Sequence, residues 1–159
     1  MKNSYRALSI ALALCLAMML AVPGNAQEAA KDYELAKKEI IKTMGHMPSF
    51  FDVMPKHALP GAWNYFKSMT SEKNLIPPKY RELLQLAVAA QIPCQYCVYF
   101  HTASAQAFGA SDDEVHEAIA HGAQTRHWSM ILQGNQIDYE SFKQEFQDIM
   151  SHMAKQAEK

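Results

Sequence analysis

The chain reads as an all-α protein. Beyond residue 26, apolar residues recur at intervals of three and four almost everywhere, no stretch alternates apolar and polar as a half-buried strand would, and glycine and proline are sparse. The first amphipathic segment spans Asp32 to Met44, with Leu35, Ile40, Ile41 and Met44 on its apolar side, Gly45 closing it and Pro48 following. Shorter helical pieces are expected from Ser49 to about Lys56 and from Pro60 to about Met69, before a polar turn over Thr70 to Pro77. Pro77-Pro78 then opens a long helix through Gln91, because proline suits a first helical turn. Leu83, Leu84, Leu86, Ala87, Val88 and Ala90 make that helix apolar on most sides and place it centrally.

Pro93 breaks that helix and lets another begin at about Cys94, which Gly109 ends. Ser111-Asp112-Asp113-Glu114 matches a capping box, serine with glutamate three residues later, and starts a helix toward Leu132. Gly134-Asn135 is a turn. The last helix, Asp138 to about Ala154, is amphipathic, with Phe142, Phe146, Ile149 and Met150 on one side. There is no internal repeat and no low-complexity segment.

At the N-terminus, Lys2 and Arg6 precede an uncharged apolar run from Ala7 to Val22, and Pro23-Gly24-Asn25-Ala26 supplies small residues where a signal peptidase reads. The run is shorter than the ~20 residues needed to span a bilayer. Residues 1–26 are therefore expected to be a cleaved export signal, with an uncleaved anchor as the alternative, and the chain to be periplasmic. Cys15 does not make this a lipoprotein signal, because the bulky Leu14 precedes it. Cleavage after Ala26 leaves 133 residues, 27–159, enough for one domain. Loss of Lys2 and Arg6 leaves 13 basic against 16 acidic residues, a net charge of −3, which argues against a nucleic-acid partner.

Export also removes Cys15, so the remaining chain carries one cysteine pair, Cys94 and Cys97. Such a short loop constrains the unfolded chain too little to staple a fold, so the pair points to chemistry. At a helix start the two sulfurs share a face and can close a disulfide, while the exposed backbone N–H groups favour thiolate. His101, four residues beyond Cys97 and seven beyond Cys94, lies on the same face and can exchange a thiol proton near neutral pH. If the helices on either side of Pro93 are antiparallel, Glu82 and His101 sit at similar height, since each residue rises ~1.5 Å. A carboxylate there holds the imidazole tautomer and raises its basicity, giving a relay from Glu82 through His101 to the cysteines. The helix dipole favours Cys94 as the attacking sulfur, whereas the shorter reach to His101 favours Cys97.

Zinc is the main competitor for these residues. Cys94, Cys97 and His101 could supply three ligands, but no second Cys-x-x-Cys or histidine pair completes a tetrahedral set. A c-type haem site is excluded because Val98 follows Cys97. Neither a metal nor a cofactor is expected. Taken alone, Glu82 would read as a solvated carboxylate beside Lys79 or Arg81. His116, His121 and His127 do not align on one helix face and are expected at the surface. Trp63, Tyr65, Phe66, Tyr96, Tyr99, Phe100, Phe108 and Trp128 are expected in the core or at subunit contacts. The seven methionines beyond residue 26 fill core gaps.

The pattern Glu82-x11-Cys94-x2-Cys97-x3-His101, followed by A-x-x-x-G-A-S-D-D-E-V from Ala105, resembles the AhpD-like alkylhydroperoxidase branch of the carboxymuconolactone decarboxylase family. The resemblance is strongest from Pro77 to about Ala120. It implies an AhpD-like all-α bundle that assembles obligately as trimers or hexamers. It also implies that Glu82, Cys94, Cys97 and His101 are catalytic, relaying protons while the cysteines reduce a hydroperoxide. The expected activity is that of an exported antioxidant thiol-disulfide oxidoreductase, acting on a hydroperoxide or disulfide and recharged by a thiol reductant. Two features depart from that branch. Tyr96 stands where alkylhydroperoxidase D has a relay histidine, and export separates the chain from the cytoplasmic lipoyl-bearing partner that branch uses. The alternative within the family is a decarboxylase-type lyase using His101 and Glu82 without redox chemistry, for which the two cysteines have no use.

Overall fold

The computed structural model of the protein describes residues 22–157, with side chains from residue 26 onward. Most of the expected export signal lies outside the described residues. Seven helices and no strand occur among the described residues: α1 (Val22–Met44), α2 (Ser49–Asp52), α3 (Leu59–Thr70), α4 (Pro78–Gln91), α5 (Gln95–Ala107), α6 (Asp112–Gly134) and α7 (Tyr139–Ala157). None of these helices is long and apolar enough to cross a membrane. The contacts divide the chain between Asn74 and Leu75 into two compact units.

In the first unit, α1 packs on α3. Ala36 and Ile40, one turn apart on α1, meet Phe51, Leu59 and Trp63 in a closed core, with Tyr33, Met44 and Phe66 packed around it. Trp63 is only 2% exposed. Its ring stacks on Phe66 at 5.7 Å, and Phe51 meets both rings edge-on. A buried indole N–H needs an acceptor, and Trp63 Nε1 donates to Glu39 Oε2 at 2.8 Å. Lys67 Nζ donates to the same oxygen at 2.6 Å. These two donors, Lys67 foremost, hold the Glu39 carboxyl below the usual carboxylate range. α1 begins at Val22 rather than at Asp32 as expected. The stretch Ala26-Gln27-Glu28-Ala29-Ala30-Lys31 is made of strong helix formers and carries the helix upstream of its apolar face, with Pro23 tolerated in the first turn. α2 is shorter than expected and ends at Asp52.

In the second unit, α4 is the central helix and packs against both α5 and α6. Leu86 of α4, Ala105 of α5, Ala110 of the α5–α6 connection and Val115 of α6 form its core, with Leu83, Val98 and Ile119 at the margin. Full burial of a side chain such as Leu86 stabilises by about 1.5–3 kcal/mol. Gly109, at φ +86°, ends α5 in a left-handed residue that a side chain would strain. The capping box is present: Glu114 N donates to Ser111 Oγ at 3.1 Å and Ser111 N to Glu114 Oε2 at 2.9 Å. Lys79 Nζ also donates to Glu114 Oε1 at 2.7 Å, tying the first turn of α4 to the first turn of α6.

Of the eight aromatic residues expected in the core or at subunit contacts, Trp63 and Phe66 pack in the first core. Tyr65, Tyr96, Tyr99, Phe100, Phe108 and Trp128 are exposed. Helical periodicity explains the α5 residues: Val98, His101 and Ala105 share the face toward α4, which leaves Tyr96 and Tyr99 pointing away. His116, His121 and His127 are exposed, as the sequence indicated.

α4 and α6 come into close contact at Gly122. A Cβ there would stand 3.1 Å from the backbone oxygen of Ala87 and 3.3 Å from its Cβ. Gln91 Nε2 donates to Gly122 O at 2.9 Å and clamps the same crossing. A branched side chain has no room against another helix backbone, so Gly122→Val should destabilise the protein by about 1–3 kcal/mol. The check is a lowered urea midpoint at unchanged slope.

The Lys79–Glu114 pair makes stability pH-dependent. The Lys79 ammonium, followed by the Ser111 N–H, holds the Glu114 carboxyl below the usual carboxylate range, and Glu114 in turn raises Lys79. A depressed carboxyl stabilises above its unfolded pKa and loses that contribution as pH falls through its folded value. A raised lysine stabilises below its unfolded pKa and loses its contribution as pH climbs through the higher folded one. Lys79→Met should therefore show a shallower loss of urea midpoint on acidification than the unmodified chain. Equal slopes would mean that this pair carries no pH-linked stability.

Candidate active site

The candidate site is built on the bend between α4 and α5. Pro93 carries no N–H and cannot extend the α4 hydrogen-bond ladder, so the chain turns through Ile92 and Pro93. Cys94 N donates back to Ala89 O at 3.2 Å, which closes the turn. Cys94 is the N-cap of α5, in extended conformation, and its sulfur accepts from Cys97 N at 3.3 Å. Cys94 and Cys97 are joined in a disulfide with Cα atoms 5.3 Å apart. The pair sits at the positive end of the α5 dipole, which favours an anionic sulfur once the bond is reduced.

The bend returns α5 along α4 so that His101 meets Glu82. His101 Nδ1 lies 2.7 Å from Glu82 Oε2. Glu82 is 7% exposed and is the one buried charged residue among the described residues. A buried carboxylate is costly unless paired, and the imidazole supplies the partner. Since a carboxylate only accepts, Nδ1 carries the proton and donates, which leaves the Nε2 lone pair free. Phe100 packs edge-on against the imidazole at 5.2 Å and helps fix the ring plane.

Cys97 and His101 line one cavity of about 320 Å³ with Leu84, Gln85, Val88, Ala89 and Ile92. Glu82, hydrogen-bonded to His101, and Cys94, bonded to Cys97, are outside that lining. All four residues singled out in the sequence thus converge, and two of them face the space a substrate would enter. Sequence reading missed the α4 residues that form the wall. Their signal was present, since Gln85, Val88 or Ala89, and Ile92 recur at three- and four-residue spacing on one helix side. Leu84 and Val88, part of the apolar surface that marked this helix as central, are exposed and line the cavity. Among the described residues no group of three or more His, Cys, Asp and Glu side chains is arranged to hold a metal ion.

A central helix, a Cys-x-x-Cys bend and a histidine–glutamate pair beside it define the class: a helical domain with a Cys-x-x-Cys disulfide at the bend between two helices packed on each other. Comparison with known proteins gives the family. Residues 58–136 match the model of the carboxymuconolactone decarboxylase family, and the chain belongs to that family. The fold is also that of the alkylhydroperoxidase AhpD core from Rhodospirillum rubrum, at a TM-score of 0.61 and 22% identity over 74% of this chain and 90% of that one. A search of curated proteins finds no match.

The tautomer assignment has a direct readout. Nitrogen-15 NMR of the imidazole should show a single tautomer protonated at Nδ1 in the unmodified chain. Glu82→Ala should release the ring into the tautomer mixture usual for a free imidazole. An unchanged spectrum in the variant would mean that Glu82 does not set the ring's protonation.

Proposed function

We propose that the protein is a thiol-disulfide oxidoreductase that reduces organic hydroperoxides through its Cys94–Cys97 dithiol. One observation carries the reading: Cys97, disulfide-bonded to Cys94, opens with His101 into a single mainly apolar cavity, with Glu82 hydrogen-bonded behind the imidazole. Family membership and the AhpD-like fold support it.

In the reaction, His101 Nε2 takes the Cys97 thiol proton, and the thiolate attacks the terminal oxygen of the hydroperoxide. The O–O bond breaks, the imidazolium returns its proton to the departing alkoxide, and an alcohol leaves a Cys97 sulfenic acid. Cys94 then attacks that sulfur. Water departs and the disulfide seen here forms. An external dithiol supplies the two electrons and two protons that reopen it. Glu82 compensates the imidazolium charge throughout. Cys97 is the attacking sulfur in this scheme because it lines the cavity and Cys94 does not. Tyr96, exposed at 77%, takes no part in the relay, which therefore has one histidine. We place this chemistry outside the cytoplasm; the uncharged run from Ala7 to Val22 after Lys2 and Arg6 supports export.

The test uses pre-reduced chain and tert-butyl hydroperoxide, with dithiothreitol as reductant. The unmodified chain should consume peroxide and close its disulfide. Cys97→Ser should be inactive, Cys94→Ser should stop at a dimedone-reactive sulfenic acid, and His101→Gln or Glu82→Gln should slow turnover roughly 10²-fold. Full activity in Cys97→Ser would overturn the scheme. The family description also favours a second reading, a lyase acting on a lactone through His101 and Glu82. Lactone turnover that survives serine at both cysteines would establish it.

A further inference from the structure

The cavity that Cys97 and His101 share has an otherwise apolar wall, Leu84, Val88, Ala89 and Ile92, broken by one amide, Gln85. The proposed reaction gives Cys97 and His101 their work and leaves Gln85 with none. Gln85 follows Glu82 by three residues on α4, so the amide and the carboxylate that holds His101 are neighbours along one side of the helix. Gln85 Nε2 donates to Arg81 O at 3.2 Å. A backbone carbonyl only accepts, so the amide nitrogen is the end turned to Arg81, and the acceptor Oε1 takes no part in that bond. The bond ties the side chain back to its own helix and reduces the ordering that binding a ligand would otherwise require.

An alkyl hydroperoxide, R–O–O–H, brings two oxygens and one hydrogen-bond donor into this cavity. The Cys97 thiolate attacks the terminal oxygen, and the imidazolium addresses the inner one, to which it returns its proton. The terminal O–H still needs an acceptor, since a hydroxyl taken out of water unpaired loses a hydrogen bond it had there. The side chains of Leu84, Val88, Ala89 and Ile92 offer none. We infer that Gln85 binds the hydroperoxide: its Oε1 accepts the terminal O–H and sets that oxygen before the Cys97 sulfur. This role rests on the peroxide reaction proposed above. The sulfur–oxygen bond forms as the O–O bond breaks, and the alkoxide leaves as an alcohol with the imidazolium's proton. The terminal oxygen keeps its own proton and becomes the hydroxyl of the Cys97 sulfenic acid, so Gln85 accepts throughout and transfers neither electrons nor protons. A disulfide oxidant carries no O–H and gives Gln85 nothing to accept. The residue therefore favours hydroperoxides over disulfides as oxidants of the same dithiol.

Gln85 is exposed and belongs to neither core. Gln85→Met removes the acceptor while keeping the side-chain length and a strong helix former, so the fold stays in place. The test mixes pre-reduced unmodified chain, or the variant, with tert-butyl hydroperoxide or with dithiodipyridine and times the loss of thiols. In the variant the second-order rate constant for the hydroperoxide should fall roughly tenfold, the worth of one hydrogen bond, while that for the disulfide stays the same. Equal hydroperoxide rates in the two chains would overturn the assignment. So would a parallel fall with both oxidants, which would mean that Gln85 acts on the thiolate rather than on the peroxide. An unmodified chain that reacts with the disulfide and not with the hydroperoxide would instead remove the peroxide reading itself, and the role of Gln85 with it.

Discussion

The hydrogen bond between Glu82 and His101 is the constraint on which the second unit depends. A carboxylate buried in an apolar helix interface has few ways to persist, and at 7% exposure Glu82 has left most of its water behind. The imidazole at 2.7 Å replaces that water. It can do so only if α5 runs back along α4 with the right offset, so the pairing fixes the register of the two helices as well as the chemistry between them. The turn through Ile92 and Pro93 sets the offset. One residue more in that turn would rotate His101 by about a quarter of a helical turn away from α4.

The same constraint assigns work to the rest of the unit. α6 lies close enough to α4 to seal its other side because Gly122 has no side chain, and the Lys79–Glu114 contact ties the two helix starts together. α4 is thereby held from its first turn to Gln91, and Glu82 sits on a rigid element. The cysteines are on a different kind of support, at a bend and a helix N-terminus. The buried carboxylate and the cysteine pair thus lie on opposite sides of Pro93.

Much of this was legible in the sequence, because it is local. The Pro93 break, the Gly109 terminus and the Ser111–Glu114 capping box are written in a few adjacent residues and recur in the structure. The meeting of Glu82 and His101 was legible too, since two helices joined by a short turn have their heights set by rise per residue alone. What was not legible depends on which side of a helix finds a partner. Tyr96, Tyr99 and Phe100 are as hydrophobic as core residues, yet α5 turns Val98, His101 and Ala105 toward α4 and leaves the aromatics outward. Leu84 and Val88 look like core and form the wall of a cavity. The early start of α1 was missed for a different reason: its first turns are helical by propensity without an apolar face, and periodicity has nothing to register there.

The placement of Cys97 bears on a choice that sequence left open. The dipole of α5 acts most strongly on Cys94, at the N-cap, whereas the base acts through contact with the cavity that Cys97 and His101 share. A dipole contributes about 0.3–1 kcal/mol at an exposed helix end, less than one factor of ten in an equilibrium. A positioned base contributes a factor of 10²–10⁴. On those magnitudes the proposed reaction uses the base to select the attacking sulfur, and the dipole's part in it is to make Cys94 a competent second thiolate. In the proposed reaction the cysteines divide the labour by position: the sulfur that lines the cavity meets the oxidant, and the sulfur on the cap resolves it.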